Sequence, residues 1–422
     1  MKITLIAGAR PNFMKVAPII KAIKKHNGEV INGDASLNDA NGEKISYRLV
    51  HTGQHYDKNM SDTFFEELGI PAPDVNLGCG GGSQAEQTAA IMIAFEKELM
   101  AHPADVVLVV GDVTSTMACS IVAKKLNTKV CHVEAGIRSW DLTMPEEINR
   151  MVTDSLADYM FTTSEVANRN LIRQGAELVD SLELRVERSS KVDSGESLPE
   201  DKYAYERVPQ RVWHVGNVMI DTLLANRSRF RKPEIWDELK LQEKQFVVMT
   251  MHRPANVDEE NHLRAMMEQI IDNVHGLPVI FPIHPRTAKL LLGDRTAKGL
   301  QDASLQDASK MLQERWPNLH IVEPMGYLEF NYLVERAKAV VTDSGGITEE
   351  TTVMGVPCIT LRDNTERPET CTVGTNELIG TNPAAIKPAL DKLFAGEWKK
   401  GAIPELWDGH AAERIISVLA DL

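Results

Sequence analysis

Three carboxylates in the first half of the chain stand at or near the ends of short apolar runs that predict buried strands. Asp112 follows one such run after a single glycine, and Glu134 follows the next run directly. Glu146 opens a helical pattern shortly afterwards, and His252 follows an apolar run in the second half. Carboxylates and a histidine are the groups that remove and return protons near neutral pH. The set therefore predicts proton abstraction at carbon.

Each of these groups also has a structural alternative. Asp112 in the sequence GDVTS is typical of a helix N-cap. A carboxylate in the first turn of a helix, as at Glu146, is favoured by the helix dipole alone. His252 is either a capped structural residue or an acid/base group. Glu134 follows an apolar run directly, so of the four it is the least readily explained as an ordinary exposed side chain.

A glycine-rich turn in the last third of the chain predicts an anion site. Ser344, Gly345 and Gly346 lie between an apolar strand pattern and a helical pattern. The unpaired N–H groups and positive end of such a helix suit a phosphate. Glu350, about one helical turn further on, suits ribose hydroxyls, and Arg367 returns a guanidinium to the same end of the sheet. The simpler alternative is a Gly-Gly pair that only tightens a strand–helix turn.

Other turns add candidate ligand contacts. The first predicted strand ends in GARPNFMK, where Arg10 and Lys15 either hold a diphosphate or form an ordinary surface ion pair and a solvated lysine. This turn lacks the GxGxxG fingerprint of dinucleotide-binding proteins. Arg138, in the turn after Glu134, is a further predicted substrate contact. Met325 and Tyr327 lie in a loop that resembles a ledge for a flat base.

Composition excludes several classes of function. The net charge of −14 and the pI near 5.4 argue against nonspecific binding to nucleic acid. The five cysteines form no CxxC pair, which is typical of reduced packing in a cytoplasmic protein. No HExxH, DxD or Walker A sequence is present, so we expect neither a metal nor another cofactor. No apolar stretch reaches membrane-spanning length, and we expect no membrane partner.

Strand-like runs alternate with helical patterns along the whole chain, which predicts parallel sheets covered by helices on both faces. More than ten strands are predicted, and a single open sheet rarely holds so many. We therefore expect two Rossmann-like α/β domains, residues 1–216 and 217–396. A helix within about residues 397–422, centred on Leu406–Leu419, is expected to pack back on the first domain. The predicted strands are Lys2–Ala7, Arg48–His51, Val106–Val110, Lys129–Val133, Met160–Thr162, Val212–Val215, Phe246–Met249, Val279–Pro282, Leu319–Val322, Ala339–Thr342 and Cys358–Leu361. The predicted insertions are residues 32–44, 177–210 and 293–313.

Taken in order, the motifs closely resemble those of the non-hydrolysing UDP-N-acetylglucosamine 2-epimerase family. The similarity spans most of the chain outside the predicted insertions. The matching segments are GARPNFMK, HTGQHYD, GDVTST, HVEAGIRS, MPEEINR, VGNVMIDTL, HRPANVD, HPR, DSGGITEE and RDNTERPE.

The resemblance implies a fold and a reaction. The fold would be two doubly wound domains, like those of GT-B glycosyltransferases, with a ligand cleft between them. The reaction would remove the C2 proton of UDP-N-acetylglucosamine, expel UDP from C1 to give a 2-acetamidoglucal, and add UDP back with the opposite C2 configuration. It requires neither nicotinamide nor metal. The resemblance also suggests a homodimer formed through the first domain.

The resemblance assigns roles to single positions. Arg10 and Lys15 would contact the diphosphate or the reacting region. The phosphate contacts would be Ser344, Gly345 and Gly346, the ribose contact Glu350, and the sugar-side contact Arg367. The acid/base set would be Asp112, Glu134, Glu146 and His252, and which carboxylate serves which face of C2 stays open. Gln54 and His55 match a segment that in some bacterial members helps form a regulatory UDP-sugar site, with a structural turn as the alternative.

Other activities stay open at this point. A related branch of the family acts on a UDP-2,3-diacetamido uronic acid and shares TGQHYD and MPEEINR, so that sugar nucleotide is the second candidate substrate. A GT-B glycosyltransferase would need an acceptor and would leave Glu134 and Glu146 unexplained. A noncatalytic UDP-sugar sensor would bind without turnover, and a hydrolysing variant would release free N-acetylmannosamine.

Overall fold

The computed structural model describes residues 1–29, 43–53, 68–179, 210–283 and 312–422. The chain divides into two compact units. The first unit comprises Met1–Tyr56, Ala72–Asn217 and His410–Leu422, and the second comprises Asp57–Pro71 and Val218–Gly409. Gln54 and His55, the candidate regulatory residues, lie outside the described residues, as does most of the predicted insertions 32–44 and 293–313.

The described strands of the first unit form one parallel sheet in the order β3-β2-β1-β4-β5-β6-β8-β7. Strand β4 is buried along its whole length, as expected for a parallel strand covered on both faces. The strands are β1 (Lys2–Ala7), β2 (Ser46–His51), β3 (Val75–Asn76), β4 (Val106–Val110), β5 (Lys129–Val133), β6 (Tyr159–Thr162), β7 (Glu177–Leu178) and β8 (Arg211–His214).

Helices cover this sheet, and two of them begin at residues that favour a helix start. Helix α1 has proline in its first turn, where the missing N–H costs nothing. Helix α2 is capped by Ser83, which accepts from the N–H of Glu86 while Glu86 accepts from that of Ser83. The helices of the first unit are α1 (Arg10–His26), α2 (Gln84–Ala101), α3 (Thr114–Lys125), α4 (Pro145–Leu156) and α5 (Glu165–Ile172).

The second unit is built on a smaller parallel sheet in the order β11-β10-β9-β12-β13-β14. The strands are β9 (Val247–Thr250), β10 (Val279–Pro282), β11 (Leu319–Val322), β12 (Ala339–Thr342), β13 (Cys358–Thr360) and β14 (Asn376–Leu378). The helices are α6 (Val218–Asn226), α7 (Glu234–Glu238), α8 (Pro254–Val257), α9 (Glu260–Asn273), α10 (Tyr327–Arg336), α11 (Gly345–Met354), α12 (Pro368–Thr372) and α13 (Ile386–Phe394). The prediction of two parallel-sheet α/β domains is confirmed.

The last helix, α14 (Ala411–Ala420), belongs to the first unit. It packs against α1, with Lys25 Nζ 2.8 Å from Glu413 Oε1, and Arg414 Nη1 donates to the carbonyl oxygen of Val215 at 2.9 Å. The helix starts later than predicted because Leu406 and Gly409 have φ of 60° and 87°, which no right-handed helix includes.

The predicted insertion 177–210 needs one correction. Glu177 and Leu178 form β7, which pairs with β8 at the edge of the sheet. Residues 180–209 lie outside the described part of the chain. Within the described residues, none of the helices combines the length and the apolar character that a membrane span requires.

Candidate active site

Strand register brings the first two predicted acids together. Val110 and Val133 are partners in the pairing of β4 with β5, so the residues that follow these strands emerge side by side. Glu134 follows β5 directly and is buried, and its carboxylate forms an ion pair with the ammonium group of Lys15 on α1. The pairing offsets the desolvation of both charges, which would be costly for either one alone.

The backbone at Glu134 adopts an uncommon conformation. Its φ is 76°, in the left-handed region, where a non-glycine residue stores about 1–3 kcal/mol of strain. The N–H groups of Glu134 and Ala135 both donate to the carbonyl oxygen of Phe161, at 2.9 and 3.1 Å. Such strain accumulates at functional sites, where the surroundings hold it in place.

Gly111 lies against this ion pair and admits no side chain. A Cβ at this position would lie 2.8 Å from Lys15 Nζ and 3.3 Å from Glu134 Oε2, and φ of Gly111 is 66°. The glycine therefore lets the backbone of the turn after β4 approach the buried carboxylate.

Asp112 is an ion-pair partner rather than a helix cap. The N-cap of α3 is Val113, and no side chain caps that helix. The Asp112 side chain is 25% exposed and pairs with the guanidinium of Arg150 on α4. Asn149 Nδ2 donates to the Asp112 carbonyl oxygen at 2.9 Å. Each of the two neighbouring acids is therefore paired with one cation, Glu134 with Lys15 and Asp112 with Arg150.

The adjacent acids at the start of α4 differ in environment. Glu146 is partly exposed, whereas Glu147 is fully buried. Glu147 accepts from the N–H groups of Ser139 and Trp140, each at 3.0 Å, and from Arg150 at 2.8 Å. Glu147 thus anchors the turn before α4. Sequence reasoning missed this residue, because two successive glutamates give no sign of which one faces inward.

Arg138 does not lie among the exposed groups. Its side chain has no exposure, and Nη2 lies 2.6 Å from Asp154 Oδ2. Nη1 donates to the carbonyl oxygen of Ile137 at 2.8 Å. The two terminal nitrogens of the guanidinium are thus engaged inside the first unit, and the substrate contact of Arg138 stays a prediction. Arg10 is the first residue of α1.

In the second unit, His252 is joined to a buried acid. Its side chain is 58% exposed, and Nδ1 lies 2.9 Å from Oδ1 of the fully buried Asp343. Burial raises the pKa of Asp343, but hydrogen bonds from His252, the Arg253 N–H and Asn256 outweigh burial and hold that pKa below its usual value. When Nδ1 donates to Asp343, Nε2 is the nitrogen that can accept a proton. The rule that selected Glu134, an acid directly after a strand, also identifies Asp343.

The glycine-rich turn forms the start of α11. Ser344 is the N-cap and its side chain makes no cap hydrogen bond, and the first turn carries no acidic residue. A Cβ at Gly346 would meet no atom of the described residues within 4 Å, so these residues leave space beside the first turn. At Gly345 the nearest group would be the Glu366 carboxylate, 3.1 Å away. An uncapped helix start with open space is suited to an anion.

Glu350 lies inside the second unit and has no cationic partner among its described contacts. The Tyr327 hydroxyl donates to Glu350 Oε1 at 2.9 Å. Burial raises the pKa of Glu350 from 4.5 to about 7, although the Tyr327 hydrogen bond acts in the opposite direction. Burial also raises the pKa of Tyr327. Tyr327 is therefore not an open ledge for a base, which corrects that expectation, and Met325 is half-buried against a neighbouring apolar cluster.

Arg367 is likewise held inside the second unit. Its Nε donates to the Glu349 carboxylate, and both side chains are buried. This corrects the expected contact with polar groups of a sugar. Glu349 had not been singled out from the sequence. Among the described residues, no three His, Cys, Asp or Glu side chains are grouped in a way that could hold a metal ion.

The chain is similar to known proteins along almost its whole length. A family model described as UDP-N-acetylglucosamine 2-epimerase matches residues 38–420. A Methanocaldococcus jannaschii protein named UDP-N-acetylglucosamine 2-epimerase is 36% identical over 99% of each chain. The crystal structure of a Methanocaldococcus jannaschii UDP-GlcNAc 2-epimerase in complex with UDP-GlcNAc and UDP is similar with a TM-score of 0.75, 35% identity and 99% coverage of each chain. A Pseudomonas aeruginosa protein named UDP-2,3-diacetamido-2,3-dideoxy-D-glucuronate 2-epimerase is 33% identical over the full length of both chains.

Proposed function

Because the chain belongs to the UDP-N-acetylglucosamine 2-epimerase family, we propose that it interconverts UDP-N-acetylglucosamine and UDP-N-acetylmannosamine without releasing free sugar. The observation that carries the proposal is the pair of acids at adjacent strand ends, Asp112 and Glu134, each matched to a cation. Carboxylates are among the groups that take and return protons in catalysis, and the paired cations offset the cost of burying their charges.

The proposed reaction is an elimination followed by an addition. A carboxylate takes the C2 proton, the C2–H electron pair forms a C1–C2 double bond, and the C1–O bond breaks so that UDP leaves with its electron pair. An oxygen of UDP then attacks C1, and an acid returns a proton to C2 on the opposite face. No atom is lost, and neither an oxidant nor a reductant is needed. We place Asp112 and Glu134 in the two proton transfers, with Glu146 and His252 completing the acid/base set.

We propose that the start of α11 holds the departing diphosphate. Gly345 and Gly346 place their N–H groups at the positive end of the helix, whereas the Ser344 N–H donates to Thr342 Oγ1 at 3.0 Å, so Ser344 would contact the phosphate through its hydroxyl. Stabilising a leaving group is as necessary as removing the proton, because the C2 hydrogen is only weakly acidic. Glu350 is the proposed partner of the ribose hydroxyls, and Arg10 that of the diphosphate.

We propose that Lys15 serves the reacting region, the second of the two roles that the resemblance implies. Its ammonium group already pairs with Glu134, and a Cβ at Gly111 would lie against it. Lys15 would then hold the Glu134 carboxylate in place rather than bind the diphosphate.

We also propose a homodimer formed through the first unit. Large apolar side chains are exposed on α2 and on α4 with the turn before it: Ile93, Met100, Trp140, Leu142, Ile148 and Met151. Exposed apolar surface of this kind marks a protein interface. Analytical ultracentrifugation should give twice the chain mass for the wild-type protein and a monomer for Ile93→Asp combined with Met151→Asp. A wild-type monomer at micromolar concentration would contradict the dimer.

A second candidate substrate is the 2,3-diacetamido uronic acid sugar nucleotide, which the 33% identity to the Pseudomonas aeruginosa relative favours. The unpaired cysteines, four of which are buried, support a reducing compartment, and we place the reaction in the cytoplasm.

Product analysis tests the proposed function. Incubation with UDP-N-acetylglucosamine should give a stable mixture of the two UDP-sugar epimers in proton NMR spectra. Turnover of only the uronic acid nucleotide would replace the substrate by the second candidate. Accumulation of free N-acetylmannosamine and UDP, or no change with either nucleotide, would overturn the proposal.

A further inference from the structure

The first unit contains a buried polar network that lies behind the two acids. His132 is in β5, Asp154 is in α4, and their side chains have no exposure. His132 Nδ1 lies 2.6 Å from Asp154 Oδ1, and His132 Nε2 lies 2.9 Å from the carbonyl oxygen of Gly111. Asp154 Oδ2 accepts from the Gly136 N–H at 3.1 Å and lies 2.6 Å from Arg138 Nη2.

Both neighbours of the His132 ring are hydrogen-bond acceptors. A carbonyl oxygen cannot donate, so Nε2 must carry the hydrogen of the bond to Gly111. Asp154 already accepts from Gly136 and Arg138, and burial raises its pKa, but His132 and Arg138 outweigh burial and hold that pKa below its usual value. The geometry therefore has Nε2 donating to Gly111, while Nδ1 faces a carboxylate that two further donors hold in place.

The network fixes the two turns that carry the acids. Gly111 precedes Asp112, and its N–H donates to the carbonyl oxygen of Val133 while its own carbonyl oxygen is held by His132. On the other turn, Asp154 holds the N–H of Gly136, two residues after Glu134. Glu134 and Gly136 both have positive φ, so this turn needs external contacts to keep its shape.

Helix α4 connects these two turns to the cation that pairs with Asp112. Asp154 lies on α4, and so does Arg150, the cationic partner of Asp112. One imidazole and one carboxylate thus connect the turn after β4, the turn after β5 and the helix that supplies a cation.

We infer that His132 and Asp154 are positioning residues for proton transfer: they set the spacing of Asp112 and Glu134 without touching the sugar. The inference rests on the proposed roles of those two acids. A displacement of about 1 Å in a catalytic group can cost about 10²-fold in rate.

The test compares two variants with a matched control. His132→Asn keeps a donor near Nδ1 but cannot reach Gly111, and Asp154→Asn places an amide N–H against groups that are themselves donors. Each should lower kcat by about 10²-fold, with KM and the UDP dissociation constant within about threefold of wild type. The control is Gln210→Ala, which removes two hydrogen bonds to the Asp154 and Ala157 carbonyl oxygens, at 2.8 and 2.7 Å. It should lower Tm and leave kcat unchanged.

Wild-type kcat in both asparagine variants, measured well below their Tm, would overturn the inference whatever their stability. His132→Gln, whose amide can still reach Gly111, should recover part of the kcat lost in His132→Asn. No recovery would contradict the role of the Gly111 contact. Should these variants fail to fold, nitrogen NMR of histidine-labelled wild-type protein decides. A hydrogen on His132 Nε2 supports the contact with Gly111, and a bare Nε2 overturns it.

The proposed function is judged separately. A wild-type protein that epimerises neither candidate nucleotide refutes that function. The nitrogen spectrum of wild type and a crystal structure of His132→Asn, in which the Gly111 and Glu134 turns should shift, still judge the positioning role.

Discussion

Buried carboxylates have different environments in the two units of the chain. In the first unit, Glu134 pairs with Lys15, and Asp154 pairs with Arg138 and His132. In the second unit, Glu350 is equally buried, but its described partner is the Tyr327 hydroxyl. A carboxylate beside a cation stays charged, whereas one buried with a neutral partner is protonated more readily.

The difference matches the tasks proposed for the two units. Proton abstraction requires a carboxylate that can act as a base, and the two acids proposed for this task, Asp112 and Glu134, each have a cation beside them. Ribose recognition requires only hydrogen bonds, and Glu350, with its pKa raised to about 7 by burial, can accept one or donate one close to neutral pH. The second unit has an internal contrast as well, because the neighbouring Glu349 does have a cation, Arg367.

The largest expected effect is a fall in kcat when the two acids of the first unit are changed. Asp112→Asn and Glu134→Gln keep the size of each side chain but remove the base, so kcat should fall by about 10²–10⁴-fold. UDP affinity, measured by calorimetry, should change little because neither Asp112 nor Glu134 is a proposed contact of UDP. Asp158→Asn is the control, since Asp158 pairs with Lys124 at 2.8 Å and has no proposed catalytic role. Full activity in both test variants would refute the assigned roles.

The second-largest expected effect is on the free energy of unfolding, and it compares two adjacent acids of the second unit. Glu349→Gln leaves the buried Arg367 guanidinium without its carboxylate, which should lower the free energy of unfolding by about 3–5 kcal/mol. Urea denaturation at pH 8 measures it, with Glu350→Gln as the matched neighbour. Equal destabilisation by the two changes would remove the contrast between these positions.

Glu350→Gln should instead stabilise the protein at high pH. Burial raises the pKa of Glu350 from 4.5 to about 7, so the folded state binds this proton more tightly than the unfolded state. The stabilising contribution of the protonated form is complete below the unfolded pKa and is lost as pH rises through the folded pKa. The variant lacks this loss, so at pH 8 it should be more stable than wild type by about 3 kcal/mol. Urea denaturation at pH 5 and pH 8 provides the measurement, and an unchanged pH slope in the variant would contradict the account.

The smallest effect concerns the proposed phosphate site. A methyl group at Gly346 would meet no protein atom within 4 Å, so Gly346→Ala should fold normally and gain roughly 0.5–1 kcal/mol of stability. The methyl group would crowd an anion at the first turn of α11, and UDP affinity should fall roughly tenfold. Unchanged UDP affinity in calorimetry would contradict a phosphate site at the start of α11.

The sequence predicted the strands that are buried on both faces. The observed bounds of β1, β4 and β5 match the predicted ones, because mostly apolar side chains mark each of these buried strands in the sequence. The short strands β3, β7 and β14 were missed. They have two or three residues each, and pairing with a neighbour rather than their own pattern defines them.

The sequence also located acids at strand ends, but it did not show which charged side chains turn inward. Arg138 and Arg367 carry the charge expected of ligand contacts, yet each is held by an acid that lies elsewhere in the sequence, at Asp154 and Glu349. Such pairings depend on how the helices pack in the fold. The order of residues in the sequence does not show which acid will lie beside which arginine.

The most direct test of the central claim is the exchange of hydrogen at C2. In heavy water, wild-type protein should place deuterium at C2 of UDP-N-acetylglucosamine, followed by NMR, with both epimers labelled at equilibrium. Glu134→Gln should abolish the exchange while still binding UDP. Epimers that form with protium retained at C2, or wild-type exchange rates in Glu134→Gln, would contradict proton transfer through the carboxylates of the first unit.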